Sequence, residues 1–211
     1  RQIEENYMND EKAVKVLLDE AFQRSQQDLH VIHFSVPVDV NAQPADTLKA
    51  YAVVQEAYQK LKSGNTDYAS VAPAPDMKWS DIGYVTVFSL PYKYENIIYS
   101  LQPGQVAAPY RSKTAWHLFK VVEKRKSAGK WRIAQILFSF PPDADEATKA
   151  TTKRLADSVY GLLGKGDDFA RLAKQYSEDK LSYLTGGELP EFGTGKYSYS
   201  FEKEVVRLEK D

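Results

Sequence analysis

Along residues 11–24 the apolar side chains fall at Val14, Leu17, Leu18, Ala21 and Phe22, with charged positions between them. Steps of three and four place them on one side of an α-helix. The period then changes. Residues 29–38, LHVIHFSVPV, are rich in β-branched side chains and predict a strand, closed by Pro37 and the stretch up to Pro44. Leu48, Tyr51, Val54, Tyr58 and Leu61 restore helical spacing, which ends at Ser63-Gly64. A loop with Pro73 and Pro75 follows, then a short strand at 84–88, a short helix at 94–100 and a strand at 116–122. Residues 124–130, KRKSAGK, read as a solvated linker, with a phosphate-binding patch as the lesser alternative.

Beyond that linker the pattern starts again. Residues 131–140, WRIAQILFSF, predict a strand broken by Pro141-Pro142. Asp143 with Glu146 has capping-box spacing and opens a helix through Leu155, Val159 and Leu162, stopped by Gly164 and Gly166. The positions correspond: His33 to Gln135 and Gly64 to Gly166 are both 102 apart, Tyr68 to Phe169 and Ala72 to Ala173 are 101 apart, and Tyr94 to Phe201 and Leu101 to Leu208 are 107 apart. Offsets that hold steady within blocks mark an internal repeat. The step from 101 to 107 means that copy one is shorter by about six residues between Ala72 and Ser80. The organisation is therefore a helical segment at 1–27, a first domain at 28–126 and a second at 130–211. The second copy stops before the counterpart of 110–122, which predicts further chain beyond Asp211 and an incomplete second copy.

Composition narrows the function. Lys plus Arg is 28 against 29 for Asp plus Glu, a net charge of −1 that argues against a nucleic-acid partner held by bulk charge. No apolar run approaches the roughly 18 residues that span a bilayer. Cysteine is absent, which excludes disulfides, zinc thiolates and a thiol nucleophile; the three histidines, His30, His33 and His117, make a histidine-rich metal site unexpected. The chain opens at Arg1 without a signal-like apolar core and reads as a fragment or processed form. Gly186-Gly187 and Gly193/Gly195 lack the strand-to-helix setting of a dinucleotide site, and Glu188 and Glu191 read as exposed loop charges.

Copy two carries Gly166-Asp167-Asp168-Phe169-Ala170-Arg171-Leu172-Ala173, then Tyr176-Ser177-Glu178-Asp179, Gly186-Gly187-Glu188-Leu189 and Phe201-Glu202. In this order the segments resemble the parvulin-type peptidyl-prolyl cis-trans isomerases. Copy one fits more loosely, with His33 in its first strand, Ser80-Asp81-Ile82-Gly83, Tyr94-Glu95 and a closing segment from Pro109 to His117. The tandem arrangement after a helical segment is similar to that of SurA-like periplasmic chaperones. The resemblance implies an α+β fold of two tandem FKBP-like (parvulin) domains, no cofactor, unfolded or extended proline-containing polypeptide clients, and a periplasmic or cell-envelope location.

It also implies a site. The family's apolar pocket maps onto Ile82, Leu90 and Tyr94 in copy one and onto Leu189, Tyr197 and Phe201 in copy two; plain core packing is the alternative. The family's polar centre joins two facing histidines, an acid and a hydroxyl. In copy one these positions are His33, His117 and Thr114, with the acid in the shortened segment, where Asp76 lies nearby without a firm alignment. In copy two Asp179 takes the acid position, against the alternative of a turn-forming aspartate, and Gln135 stands in place of the first histidine. His30, on the opposite strand face from His33, is expected at the surface. The resulting function is proline isomerisation with chaperoning, copy one being the better candidate for turnover. The rival is a peptide-binding module of the same fold without turnover, and a third reading is a purely structural repeat.

Overall fold

The computed structural model describes residues 11–72 and 75–209. The expected helical segment before residue 11, and Pro73, lie outside the described residues. Packing divides the chain into two units: the residues up to Gly129 together with those from Thr194 onward, and Lys130–Gly193.

The first unit opens with α1 (Glu11–Ser25) and continues through β1 (Gln27–Pro37), α2 (Pro44–Lys62), the single turn α3 (Tyr68–Val71), β2 (Lys78–Val85), α4 (Tyr92–Tyr99), β3 (Tyr110–Arg111) and β4 (Ala115–Lys126). The four strands form one antiparallel sheet in the order β2-β1-β4-β3. β1 is central, paired on both edges, and its two faces are covered by separate clusters, so its alternation of polar and apolar residues is suppressed. Ile32, Phe34, Val36 and Leu118 pack on Val54, Ala57 and Leu61 of α2, together with Val71 and Met77. Leu29, Val31, Phe119 and Val121 face the other way, onto Val85, Ile98 of α4 and Ala107. Each such side chain removed from water contributes about 1.5–3 kcal/mol. α2 starts with Pro44 in its first turn, where a missing N–H costs nothing.

Residues from Thr194 onward close this unit. α7 (Tyr199–Val205) lies against β2. Gly83 has φ +72°, and a Cβ there would sit 2.6 Å from Tyr199 Cβ, so only glycine admits this approach. Thr194 donates its hydroxyl to the buried Asp28 at 2.7 Å, and Arg125 donates to the same oxygen.

The second unit contains β5 (Lys130–Trp131), α5 (Glu146–Leu163), α6 (Phe169–Tyr176), a 3₁₀ turn at Tyr183–Thr185, and β6 (Phe192–Gly193). β5 and β6 pair antiparallel, and Ala134 bridges to Glu188. Val159, Leu172, Ala173 and Phe192 are its buried apolar residues. α6 is capped by Asp168, whose carboxylate accepts from Arg171 N–H.

Several sequence expectations need correction. The strand expected at 84–88 ends at Val85; Ser89 Oγ then bonds Thr86, and Phe88 takes φ +65° in a turn. The expected linker begins late, because Lys124, Arg125 and Lys126 continue β4 in register with β1. The strand expected at 131–140 pairs as a strand only at its first residue. Its neighbours beyond Ala134 are loops, so Gln135 N–H goes singly to Gly187 O and Leu137 O accepts singly from Glu178 N–H. α5 is capped by Asp145 rather than Asp143, with the carboxylate 2.8 Å from Thr148 N. His30 is buried, not at the surface: α7 covers it, with Tyr199 4.7 Å from its ring and Asp81 2.7 Å from its Nε2.

Gly187 provides a stability test. It has φ +85°, and an added Cβ would meet Gln135 O at 2.3 Å. Gly187→Ala is expected to destabilise the second unit by about 2 kcal/mol or more, read as denaturant unfolding through Trp131 fluorescence. Gly64→Ala, at φ +93° in open space, should cost only about 1 kcal/mol of backbone strain.

Candidate functional site

The register of β1 and β4 pairs His33 with Phe119 and Ser35 with His117. His33 and His117 are thus diagonal neighbours on one face of the sheet, a separation that rings can close. They do so: His33 Nε2 lies 2.9 Å from His117 Nδ1, and the rings stack 5.2 Å apart. Phe119, two residues beyond His117 on the same face, stacks under His33 at 4.8 Å. β3 pairs Tyr110 with His117, and the chain then turns tightly into β4.

That turn places a hydroxyl on His117. Ser112 Oγ accepts from the backbone N–H groups of Thr114 at 3.3 Å and Ala115 at 3.1 Å. With both lone pairs engaged, its proton has two acceptors within reach, His117 Nε2 at 2.9 Å and Ala115 O at 3.2 Å. Tyr94 OH, from α4, reaches the same nitrogen at 3.2 Å. With one of these hydroxyls donating to His117 Nε2, the His117 proton is assigned to Nδ1, where His33 Nε2 accepts it. The tautomer follows from the hydrogen-bond network.

Electrostatics agree with a neutral pair. Burial, and then the proximity of His117, lower the pKa of His33 to about 4. Burial, and then the Arg111 cation, lower that of His117. Both imidazoles are uncharged at neutral pH. Among the described residues no carboxylate hydrogen-bonds either ring of the pair; Asp76 is exposed, and Asp81 is engaged with His30 and Gly83 N–H.

The apolar candidates adjoin this centre. Ile82, Leu90 and Tyr94 are half-buried and pack on the cluster that contains Phe119. Tyr94 is shared, with its ring 5.2 Å from Phe119 and 5.1 Å from His117. Thr114 is exposed in the β3–β4 turn and takes part through its backbone N–H, while the hydroxyl on His117 belongs to Ser112. Sequence reading missed Ser112 and Phe119. Phe119 carried a signal, the two-residue period from His117; Ser112 carried only the general tendency of serine to bond backbone amides in turns.

In the second unit Gln135 Nε2 donates to Asp179 Oδ2 at 2.9 Å, Ser182 Oγ donates to the same oxygen at 2.6 Å, and Leu181 N–H reaches Oδ1 at 3.0 Å. The Ser182 bond first, then Gln135 and Leu181, lower the Asp179 pKa. The carboxylate therefore stays ionised, accepting from its own turn and from Gln135. Leu189 belongs to this unit, half-buried, with its N–H on Ile133 O. Tyr197 and Phe201 belong to the first unit, with rings 4.9 Å apart.

A neutral imidazole pair, hydroxyls and apolar walls can hold a polar planar group without forming a bond to it. Among the described residues there is no cluster of His, Asp and Glu suited to a metal ion, and no helix long and apolar enough to cross a membrane.

Known proteins resemble this chain over both halves. Sequence profiles of the PPIC-type PPIase domain match residues 32–123 and 116–211. Chaperone SurA of Pseudomonas fluorescens (strain Pf0-1) is 31% identical over 200 residues, which is 90% of this chain and 46% of that protein. Chaperone SurA of Chromohalobacter salexigens is 27% identical over 211 residues, covering 94% of this chain and 48% of the relative. Chaperone SurA of Pseudomonas aeruginosa (strain PAO1) is 30% identical over 201 residues, 90% and 47% respectively. The chain spans about half the length of these relatives.

The pH dependence has a definite sign. Unfolded imidazoles take up protons near pH 6.5, whereas His33 in the fold does so only near 4. Acid therefore favours the unfolded chain. Stability is expected to hold level above about pH 6.5 and to fall as pH drops from there toward 4, checked by thermal unfolding across that range. His33→Phe should flatten much of the fall.

Proposed function

The chain belongs to the parvulin-type (PPIC-type) peptidyl-prolyl isomerase family, and from that premise we propose that its first domain isomerises X–Pro bonds in unfolded or extended polypeptides. The observation that carries this reading is the neutral His33–His117 pair beside Tyr94 and Phe119. Rotation about X–Pro crosses about 18–20 kcal/mol because amide resonance must be broken, while the isomers differ by about 0.5–1 kcal/mol. No bond is cleaved and no cofactor is needed.

The planar amide separates charge between oxygen and nitrogen; the twisted amide does so less. A water-poor site lined by neutral groups removes the hydration that favours the planar form and leaves donors for the pyramidal nitrogen of the twisted one. Neutral imidazoles suit that task, and a charged pair would favour the carbonyl dipole of the ground state. In this reading Ile82, Leu90 and Tyr94 seat the prolyl ring. His33 and His117 face the amide. Ser112 orients His117, with Thr114 holding the Ser112 hydroxyl in place through its N–H.

The second domain, 130–211 in the tandem FKBP-like layout, takes a different role. Gln135 in place of the first histidine, together with the hydrogen-bonded oxygens of Asp179, favours peptide binding without turnover there, with Leu189 as an apolar contact. The full protein then acts as a chaperone of proline-containing clients in the periplasm or cell envelope, in keeping with the SurA relatives.

A protease-coupled assay on an X-Pro peptide tests the catalytic assignment. His33→Ala and His117→Ala are each expected to lower kcat/KM by about 10-fold or more. Wild type at the uncatalysed rate would leave only peptide binding; turnover untouched by both substitutions would overturn the site.

A further inference from the structure

The Leu90 wall of the slot is fixed from below by a buried carboxylate. Glu95, 1% exposed in the first turn of α4, accepts the Leu90 N–H through Oε1 at 3.2 Å. Its other oxygen is 3.9 Å from Arg24 Nη1, on α1. Arg24 is itself nearly buried. It donates to Asn96 Oδ1 at 2.6 Å, bonds Glu20, and lies over the rings of Tyr92 and Tyr99 at 5.6 and 5.0 Å. Glu20 in turn accepts from Tyr92 OH at 2.9 Å. Contacts of Glu20 and Arg24 with Tyr92, Glu95, Asn96 and Tyr99 thus tie α1 to the helix that carries Tyr94.

The same device recurs in the repeat. Glu202, which corresponds to Glu95, is buried and accepts from Tyr197 N–H at 2.9 Å and Gly195 N–H at 3.0 Å; Tyr197 corresponds to Leu90. Two copies that differ elsewhere both use the glutamate after the aromatic to brace the loop five residues before it. A buried carboxylate is costly unless compensated. In copy one the Leu90 amide, the N-terminal end of α4 and Arg24 compensate it.

The geometry points to Glu95 as a positioning residue for the Leu90 side of the proposed prolyl site, with Arg24 as the means by which α1 holds Glu95 in place. Neither residue touches the reacting amide: Glu95 holds the Leu90 backbone, and Arg24 holds Glu95. The role rests on the isomerase reading above, and it makes α1 a functional part of the first domain.

The test uses the full chain with Glu95→Ala, Glu95→Gln and Arg24→Ala. Hydrogen exchange at the Leu90 amide is followed by NMR, and KM and kcat are measured on an X-Pro peptide. Glu95→Ala is expected to speed Leu90 exchange and to raise KM by about 10-fold, the loss of one hydrogen bond to a charged group, with kcat held within about twofold. Glu95→Gln, which keeps an acceptor oxygen, should restore Leu90 protection and most of the KM. Arg24→Ala should fall between them. A merely structural role would lower the melting temperature and leave KM of the folded fraction unchanged, and that result overturns the proposal. If Glu95→Ala does not fold, an unchanged KM and Leu90 exchange in Arg24→Ala overturns it equally. Wild type that neither turns over nor binds the peptide overturns the functional reading and this inference with it. Wild-type turnover with all variants alike overturns this inference alone.

Discussion

Everything at the candidate site depends on two imidazoles being held in hydrogen-bond contact without a charge between them. Bringing His33 and His117 within 2.9 Å removes water from both, and a proton on His33 Nε2 would leave two donors facing each other. The fold resists that state from several sides. Phe119 lies beneath His33, Arg111 adds a positive charge near His117, and the hydroxyls of Ser112 and Tyr94 lie within hydrogen-bond reach of His117 Nε2. Neutrality is therefore a property of the surrounding sheet, set by the β1–β4 register and the turn that precedes β4.

The same register separates stability from chemistry. One face of the sheet is closed by α2 around a buried core of Ile32, Phe34, Val36, Leu118, Val54, Ala57 and Leu61. The opposite face is closed by α4 only over Leu29, Val31 and Val121, and the histidines occupy the stretch beyond that cover. α4 thereby serves twice: Ile98 closes the core, and Tyr94, one turn earlier, reaches His117. A helix held at one end by core packing can set the position of its other end, which is why its link to α1 through Arg24 bears on the slot.

The strands and helices that bury a continuous apolar stripe could be read directly from the chain: β1, α2, α4 and β4 all lie where the periodicity puts them, to within a few residues. The reading failed where the partner, not the segment, decides the outcome. Residues 131–140 have strand composition but run beside loops, and His30 has a polar side chain that a distant helix covers. A single sequence does not carry that information, because both depend on contacts far along the chain. At the site, His33 and His117 could be named from the motif pattern. Ser112 could not, because its role comes from a turn geometry in which Thr114 contributes an amide rather than its hydroxyl. The repeat was visible in the offsets, and its deepest sign, the loop-bracing glutamate of each copy, emerged only with the hydrogen bonds.

The most direct measurement is an NMR exchange experiment on a labelled proline-containing peptide mixed with the full chain at neutral pH. The account predicts cis–trans cross-peaks that grow far faster than in free peptide, with chemical-shift changes that include Ile82, Leu90, Tyr94, His117 and their neighbours. Exchange at the free-peptide rate, or shifts that cluster on another surface while the histidine pair stays unperturbed, would contradict it.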